Sequence, residues 1–326
     1  MHIALALPPE AGPVSTFGAQ CGVEHAVGTF DLTPLADKPI DDDAQPFSRA
    51  SLARRRAQYE SNGYRLAVIE SRPPMENAKL GRDGRDEEIA VCCEFIRNMG
   101  AAGIPVWCPA WMPVHMVIRT SRELPSRGGS RVTGFDLEEF NRTHEAGAHG
   151  EVTEADQWES LRYFLEQVVP VAEEAGVKLA MHPDDPPLSP IQGVARIISS
   201  VDNYQRMVDL VPSPANGIGL CQGNFGLMTD DLPGVIRHFG AQEKIHFVHF
   251  RDIRGTPEKF QEAFHDDGQH DMAACVRAYR DVGYAGVARP DHFPQLTWED
   301  FEDVHSMERL YAIGYMRGLI EAVYSE

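Results

Sequence analysis

A chain of 326 residues, 43% hydrophobic and 24% charged, can bury a sizeable core and falls in the size range of one closed α/β barrel. Its formal net charge of −19 creates a field that repels phosphate, which excludes nucleic acid and anionic membrane surfaces as expected partners. No apolar run approaches the roughly 18 residues of a membrane span, and the start MHIALALPPE has no basic leader region, so the expectation is a soluble cytoplasmic protein.

Along the chain, short apolar runs of strand character fall at 2–7, 23–30, 64–70, 104–110, 177–183, 217–223, 244–250 and 286–292. Amphipathic stretches separate several of them, such as DEEIAVCCEFIRNMGAA (86–102) and ADQWESLRYFLEQVVPVAEEAG (155–176), with glycine where a helix would close. Strands alternating with helices predict parallel βαβ units, and eight such units predict a (β/α)8 TIM barrel in one domain spanning 1–326. The segment 37–63 begins as an acidic loop and becomes a basic helix, read as a solvated face. Residues 112–153 follow the fourth strand and are too long and polar for a simple connection, which predicts an excursion over the barrel mouth with the place of a lid. The cysteines Cys21, Cys92, Cys93, Cys108, Cys221 and Cys275 form no CxxC pair, so they read as reduced thiols, most of them core residues.

Reactive groups of such a barrel belong at the C-terminal ends of its strands. There the fifth strand ends at His182, the sixth at Cys221, the seventh at His249 and the eighth at Asp291, followed by His292. Any one of these alone is better read as a structural hydrogen-bonder or a core residue. Together, two imidazoles, a thiolate and a carboxylate form a ligand set for Mn, Fe or Zn, and the soft thiolate disfavours Mg or Ca. Around the same rim, Arg251 offers a planar fork for a substrate carboxylate, or equally a structural ion pair. His265 divides evenly between substrate contact and loop solvation, whereas for Asp266 and Asp267 loop solvation or capping is favoured. Glu70 and Lys79 are further candidates, with salt bridging as the alternative. In LAMHPDDPPLSP (179–190), Asp184 and Asp185 are expected to orient neighbouring groups or substrate hydroxyls, in a loop whose prolines restrict the backbone.

With these residues in view, the sequence resembles the D-mannonate dehydratase family. The matching stretches are MHPDDPP (181–187), GLCQGNF (219–225), HFVHFRDIRG (246–255), FHDDGQHDM (264–272) and RPDH (289–292), with weaker ones at VIESRPPMENAKLG (68–81) and RLYAIGYMRGLIEA (309–322). The resemblance implies a xylose-isomerase-like barrel binding one Mn(II) or Fe(II) and no organic cofactor. It puts His182, Cys221, His249 and Asp291 in the ligand positions and His292 in that of a catalytic acid/base. It further implies elimination of water from the sugar acid D-mannonate to give 2-keto-3-deoxy-D-gluconate, a step of hexuronate catabolism, by a homo-oligomer expected to be a dimer. Arg251, His265, Lys79 and Asp184 are then the candidates for substrate binding. Two departures stand out. The family's catalytic tyrosine has no counterpart in DVHSMERL (303–310), where His305 is the titratable candidate for its place, and the family's Asp-Trp pair is replaced by His115 and Met116. The alternatives are a metal-dependent sugar or sugar-acid isomerase or epimerase, and a non-catalytic carbohydrate-binding relative.

Overall fold

A computed structural model of the chain describes residues 1–144, 150–296 and 304–326, with only the backbone of 304–306. In chain order the described strands are β1 (His2–Leu7), β2 (His25–Gly28), β3 (Arg65–Ile69), β4 (Val106–Trp107), β5 (Ser121–Pro125), β6 (Arg131–Asp136), β7 (Lys178–Met181), β8 (Asn216–Cys221), β9 (Ile245–Phe250), β10 (Ile253–Thr256), β11 (Lys259–Glu262) and β12 (Val287–Pro290). Eight of them close a barrel in the order β1-β12-β9-β8-β7-β4-β3-β2, with parallel pairing throughout. These eight barrel strands lie within, or within one residue of, the apolar runs of the sequence.

The runs are continuous because parallel barrel strands are covered on both faces. Every residue of β8 and of β9 is buried. Inside the barrel, small and medium side chains such as Ala4, Val27, Val68, Ala180 and Val287 pack around Phe247. Outside it, a larger core joins strands to helices. The helix Glu154–Ala175 begins at a Thr153/Asp156 capping box and ends at Gly176, whose φ of 69° is the left-handed conformation that glycine adopts without strain. It lies against the helix Arg85–Ala101. Among the described residues no helix is long and apolar enough to cross a membrane.

The excursion carries more structure than its polarity suggests. Within 112–153, β5 and β6 form an antiparallel pair, and β6 in turn pairs with β11, so that a separate four-stranded sheet runs β10-β11-β6-β5. Half of that sheet therefore comes from the loop after the seventh barrel strand. Phe135, Phe140, Ile118, Ile253 and Phe260 give it a small core of its own. Arg119 fastens the assembly to the barrel rim: its two Nη atoms stand 2.7 and 3.0 Å from the Asp185 carboxylate, and Nη2 is 2.7 Å from Glu262.

Phe260 lies in the small core and beneath the Arg119 guanidinium, 5.1 Å from the ring centre. Phe260→Ala is expected to cost about 3–5 kcal/mol and to speed amide hydrogen exchange in 121–136 and 253–262 before the barrel strands. Unchanged exchange there would show that the small sheet does not depend on this core.

Candidate metal centre

The four rim residues arrive on adjacent strands, and register decides which of them touch. Cys221, the last residue of β8, is paired with His249 of β9, and His249 is paired with Arg289 of β12. His182 follows β7, with its backbone N–H bonded to Pro109 at 2.8 Å. One ligand atom each from His182, Cys221 and His249 lies within 4.8 Å of the others. Asp291, directly after β12, brings Oδ2 to 3.3 Å from His249 Nδ1.

Hydrogen-bond partners fix how the two imidazoles are presented. His182 Nδ1 lies 2.8 Å from the Pro183 carbonyl, which can only accept, so the proton sits on Nδ1 and Nε2 carries a lone pair. His249 Nε2 lies 2.8 Å from Glu70, and against burial and Arg289 the carboxylates of Glu70 and Asp291 hold its pKa well above the usual imidazole range, so the ring is cationic and its Nδ1 carries a proton toward His182 Nε2. Those two nitrogens face each other at 3.2 Å. The proton between them, beside a sulfur and a carboxylate, occupies a place that a cation could take. A divalent ion held at about 2.0–2.3 Å by N, S and O donors fits this arrangement.

The charges around the set favour the anionic ligands. Burial alone would raise the Cys221 thiol, but the Arg251 guanidinium at 3.4 Å, with His182 and His249, holds it well below the usual thiol range. Burial likewise opposes ionisation of Asp291, and Arg289, with the cationic His249, overcomes it. Arg289 joins two strand ends: Nη1 is 2.6 Å from Asp291 Oδ1 and Nε is 2.8 Å from Glu70 Oε2. Glu70, held ionised against its burial by Arg289 and His249, thus orients one candidate ligand and shares its arginine with another. A second trio, Glu70, Cys108 and His249, is equally compact. Burial raises the Cys108 thiol, where Cys221 is held toward its thiolate, so this trio is the poorer ligand set.

His292 adopts a left-handed backbone, φ 51°, directly after Asp291, and both side chains reach the same rim. Its Nδ1 stands 3.4 Å from Glu262 and its Nε2 3.6 Å from Asp291 Oδ2. Desolvation lowers its pKa more than Asp291 and Glu262 raise it, which favours the neutral ring. His265 is buried behind the rim, stacked on Phe250, and its Nε2 has no hydrogen-bond partner among the described residues. The side chain of His305 lies outside the described residues.

Three of the expected substrate contacts are engaged elsewhere. Arg251 is fully buried and its fork is saturated: Nε and Nη2 meet Glu262 at 2.8 and 2.7 Å, and Nη1 meets Asp185 at 2.9 Å and Asn224 at 3.1 Å. Of the two readings left open for this residue, the structure displays the ion pair. Lys79 donates to the Met112 carbonyl at 3.0 Å with Glu76 at 3.6 Å, beneath the start of the excursion. Asp184 accepts from Arg196 at 3.0 Å and from the Ile198 N–H at 2.8 Å, and is completely buried. Sequence reading missed Glu262, Arg119 and Arg289 as participants. Glu262 and Arg119 meet the rim through the small sheet and its approach, which no local pattern announces. Of the substituted pair, His115 packs against Phe140 and Met116 accepts from Arg72 and Arg196.

Comparison with known proteins agrees with this architecture. A family model described as D-mannonate dehydratase (UxuA) matches residues 13–148 and 137–326. Mannonate dehydratase 2 of Halalkalibacterium halodurans is 35% identical over 293 residues, covering 82% of this chain and 85% of its own. The crystal structure of mannonate dehydratase from Streptococcus suis serotype 2 superposes with a TM-score of 0.87 at 30% identity, covering 99% of this chain and 95% of that one. A xylose isomerase domain protein from Planctomyces limnophilus shares the fold alone, with a TM-score of 0.63 at 14% identity over 99% of this chain and 98% of its own.

Asp184 gives this geometry a direct test. Asp184→Asn leaves the buried Arg196 charge uncompensated and is expected to lose about 3 kcal/mol or more in urea unfolding. Unchanged stability combined with a raised KM would return Asp184 to substrate binding.

Proposed function

The chain belongs to the D-mannonate dehydratase family of hydro-lyases, and from that premise we propose that it eliminates water from D-mannonate to give 2-keto-3-deoxy-D-gluconate at a site for one divalent ion. The observation that carries this reading is the convergence of His182 Nε2, His249 Nδ1 and the Cys221 sulfur, with Asp291 beside them. His182, Cys221, His249 and Asp291 would hold the ion, and the thiolate favours Mn(II) or Fe(II) over Mg(II). When bound, such an ion acts as a Lewis acid that stabilises charge developing on the substrate carboxylate and its neighbouring hydroxyl.

The protein's own groups then divide the proton transfers. His292, neutral and a quarter exposed, is the proposed base for the weakly acidic proton next to the carboxylate. With Glu262 behind Nδ1 favouring a proton there, Nε2 is the atom left to receive the substrate proton. His305 is the proposed acid for the departing 3-hydroxyl, on the strength of its place in DVHSMERL. His265, with its unpartnered Nε2, is the remaining candidate for a substrate oxygen. Arg251 and Asp184 serve by positioning: one holds the thiolate, the other fixes the loop after His182. Six free cysteines and the family's metabolic chemistry support a cytoplasmic place, and a dimer is the proposed assembly.

Incubation with D-mannonate and Mn(II) is expected to yield a 2-keto-3-deoxy acid, and Cys221→Ser is expected to lower bound metal and kcat together by at least tenfold. Cys92→Ser, in the core between helices and barrel, should leave both unchanged. An isomerised sugar acid without a keto-deoxy product would overturn the dehydratase assignment, and equal metal content in the two variants would overturn the ligand set.

A further inference from the structure

The opposite mouth of the barrel carries a group of side chains for which the proposed reaction has no use. A cavity of about 510 Å³ opens at the N-terminal ends of the barrel strands, and its titratable lining is His2, His25, His246, Arg56, Arg65 and Glu60. That face of a (β/α)8 barrel ordinarily contributes stability, for which apolar packing suffices. In a chain with 49 acidic residues against 30 Lys and Arg, a recess lined by two arginines, three histidines and one acid inverts the overall balance.

The one acid is already engaged. Glu60 pairs with Arg56 Nε at 2.7 Å, and Arg56 Nη1 donates to the Ala102 carbonyl at 2.8 Å. Arg65 and three imidazoles remain without an anion in the lining. His2 and His25 stand with ring centres 5.2 Å apart. Burial chiefly, with His2 and Arg65 beside it, lowers the His25 pKa, and the neighbouring Glu24 opposes them. His246 is buried in the lining, its Nδ1 2.8 Å from the Leu179 carbonyl and its Nε2 without a hydrogen-bond partner among the described residues.

We propose that this recess is a binding site for a small oxyanion, a phosphate or carboxylate group, held chiefly by Arg65, His2 and His25. The volume suits a ligand of metabolite size. A planar guanidinium beside two ring N–H donors matches the oxygens of either group. The site is separate from the catalytic rim, since its residues begin the strands whose far ends carry His249 and Glu70, and it stands whether or not the chain dehydrates D-mannonate.

Calorimetric titration with inorganic phosphate and, separately, succinate, at an ionic strength held constant with chloride, is the test. At least one probe is expected to bind saturably with one site per chain. Arg65→Ala should weaken that binding at least tenfold, Arg65→Lys, which keeps the charge and loses the planar fork, should weaken it less, and both should keep the parent's thermal midpoint in chloride. Should Arg65→Ala fail to fold, His25→Asn carries the same expectation. Absence of saturable binding by both probes, or parental affinity in the folded variants, would overturn the proposal.

Discussion

A buried cluster of anionic donors can exist only if cations stand beside it, and here two arginines meet that requirement. Arg251 contacts the Cys221 sulfur and two carboxylates from a position with no solvent exposure, and Arg289 bridges Asp291 to Glu70. Without them a thiolate and these carboxylates would return to their neutral forms, because desolvation of an uncompensated charge costs several kcal/mol. Thiolate and carboxylate are the states a metal ion needs, so the arginines would hold the proposed ligands ready for one. Both guanidiniums are spent on these partners, so neither is offered to a substrate.

The arginines also tie the mouth of the barrel to its covering sheet. Glu262, on β11, meets Arg251, Arg119 and His292, and Asp185 meets Arg251 and Arg119. A displacement of the small sheet therefore reaches the thiolate through Arg251 and the proposed base through Glu262. The excursion is bound into the site's electrostatics, a closer connection than a cover resting on the rim.

Much of this was legible from residues alone. Barrel strands are apolar on both faces, so all eight appear as continuous runs, and the strand-end rule then selects His182, Cys221, His249 and Asp291 without further information. The small sheet was not legible: Gly134 pairs with Gln261, and antiparallel pairing across such a separation leaves no local signature. The roles of charged residues were the other failure. Arg251 and Asp184 carry the right chemistry for a sugar acid, yet whether a charge faces a substrate or a buried partner depends on residues far along the chain, Glu262 for one and Arg196 for the other. Glu70 could be suspected from its strand end, but its hold on His249 depends on the barrel closing. His115 and Met116 lie where the excursion begins, and what they touch there, Phe140 for one and Arg72 and Arg196 for the other, depends on that local packing.

The central claim is that four side chains from adjacent strand ends converge on a single ion. Diffraction from crystals grown with Mn(II), with data collected to reveal its anomalous scattering, tests it most directly. One peak is expected, in contact with His182 Nε2, Cys221 Sγ, His249 Nδ1 and Asp291 Oδ2. A peak lodged between Glu70, Cys108 and His249, or no peak from metal-loaded protein, would contradict the account.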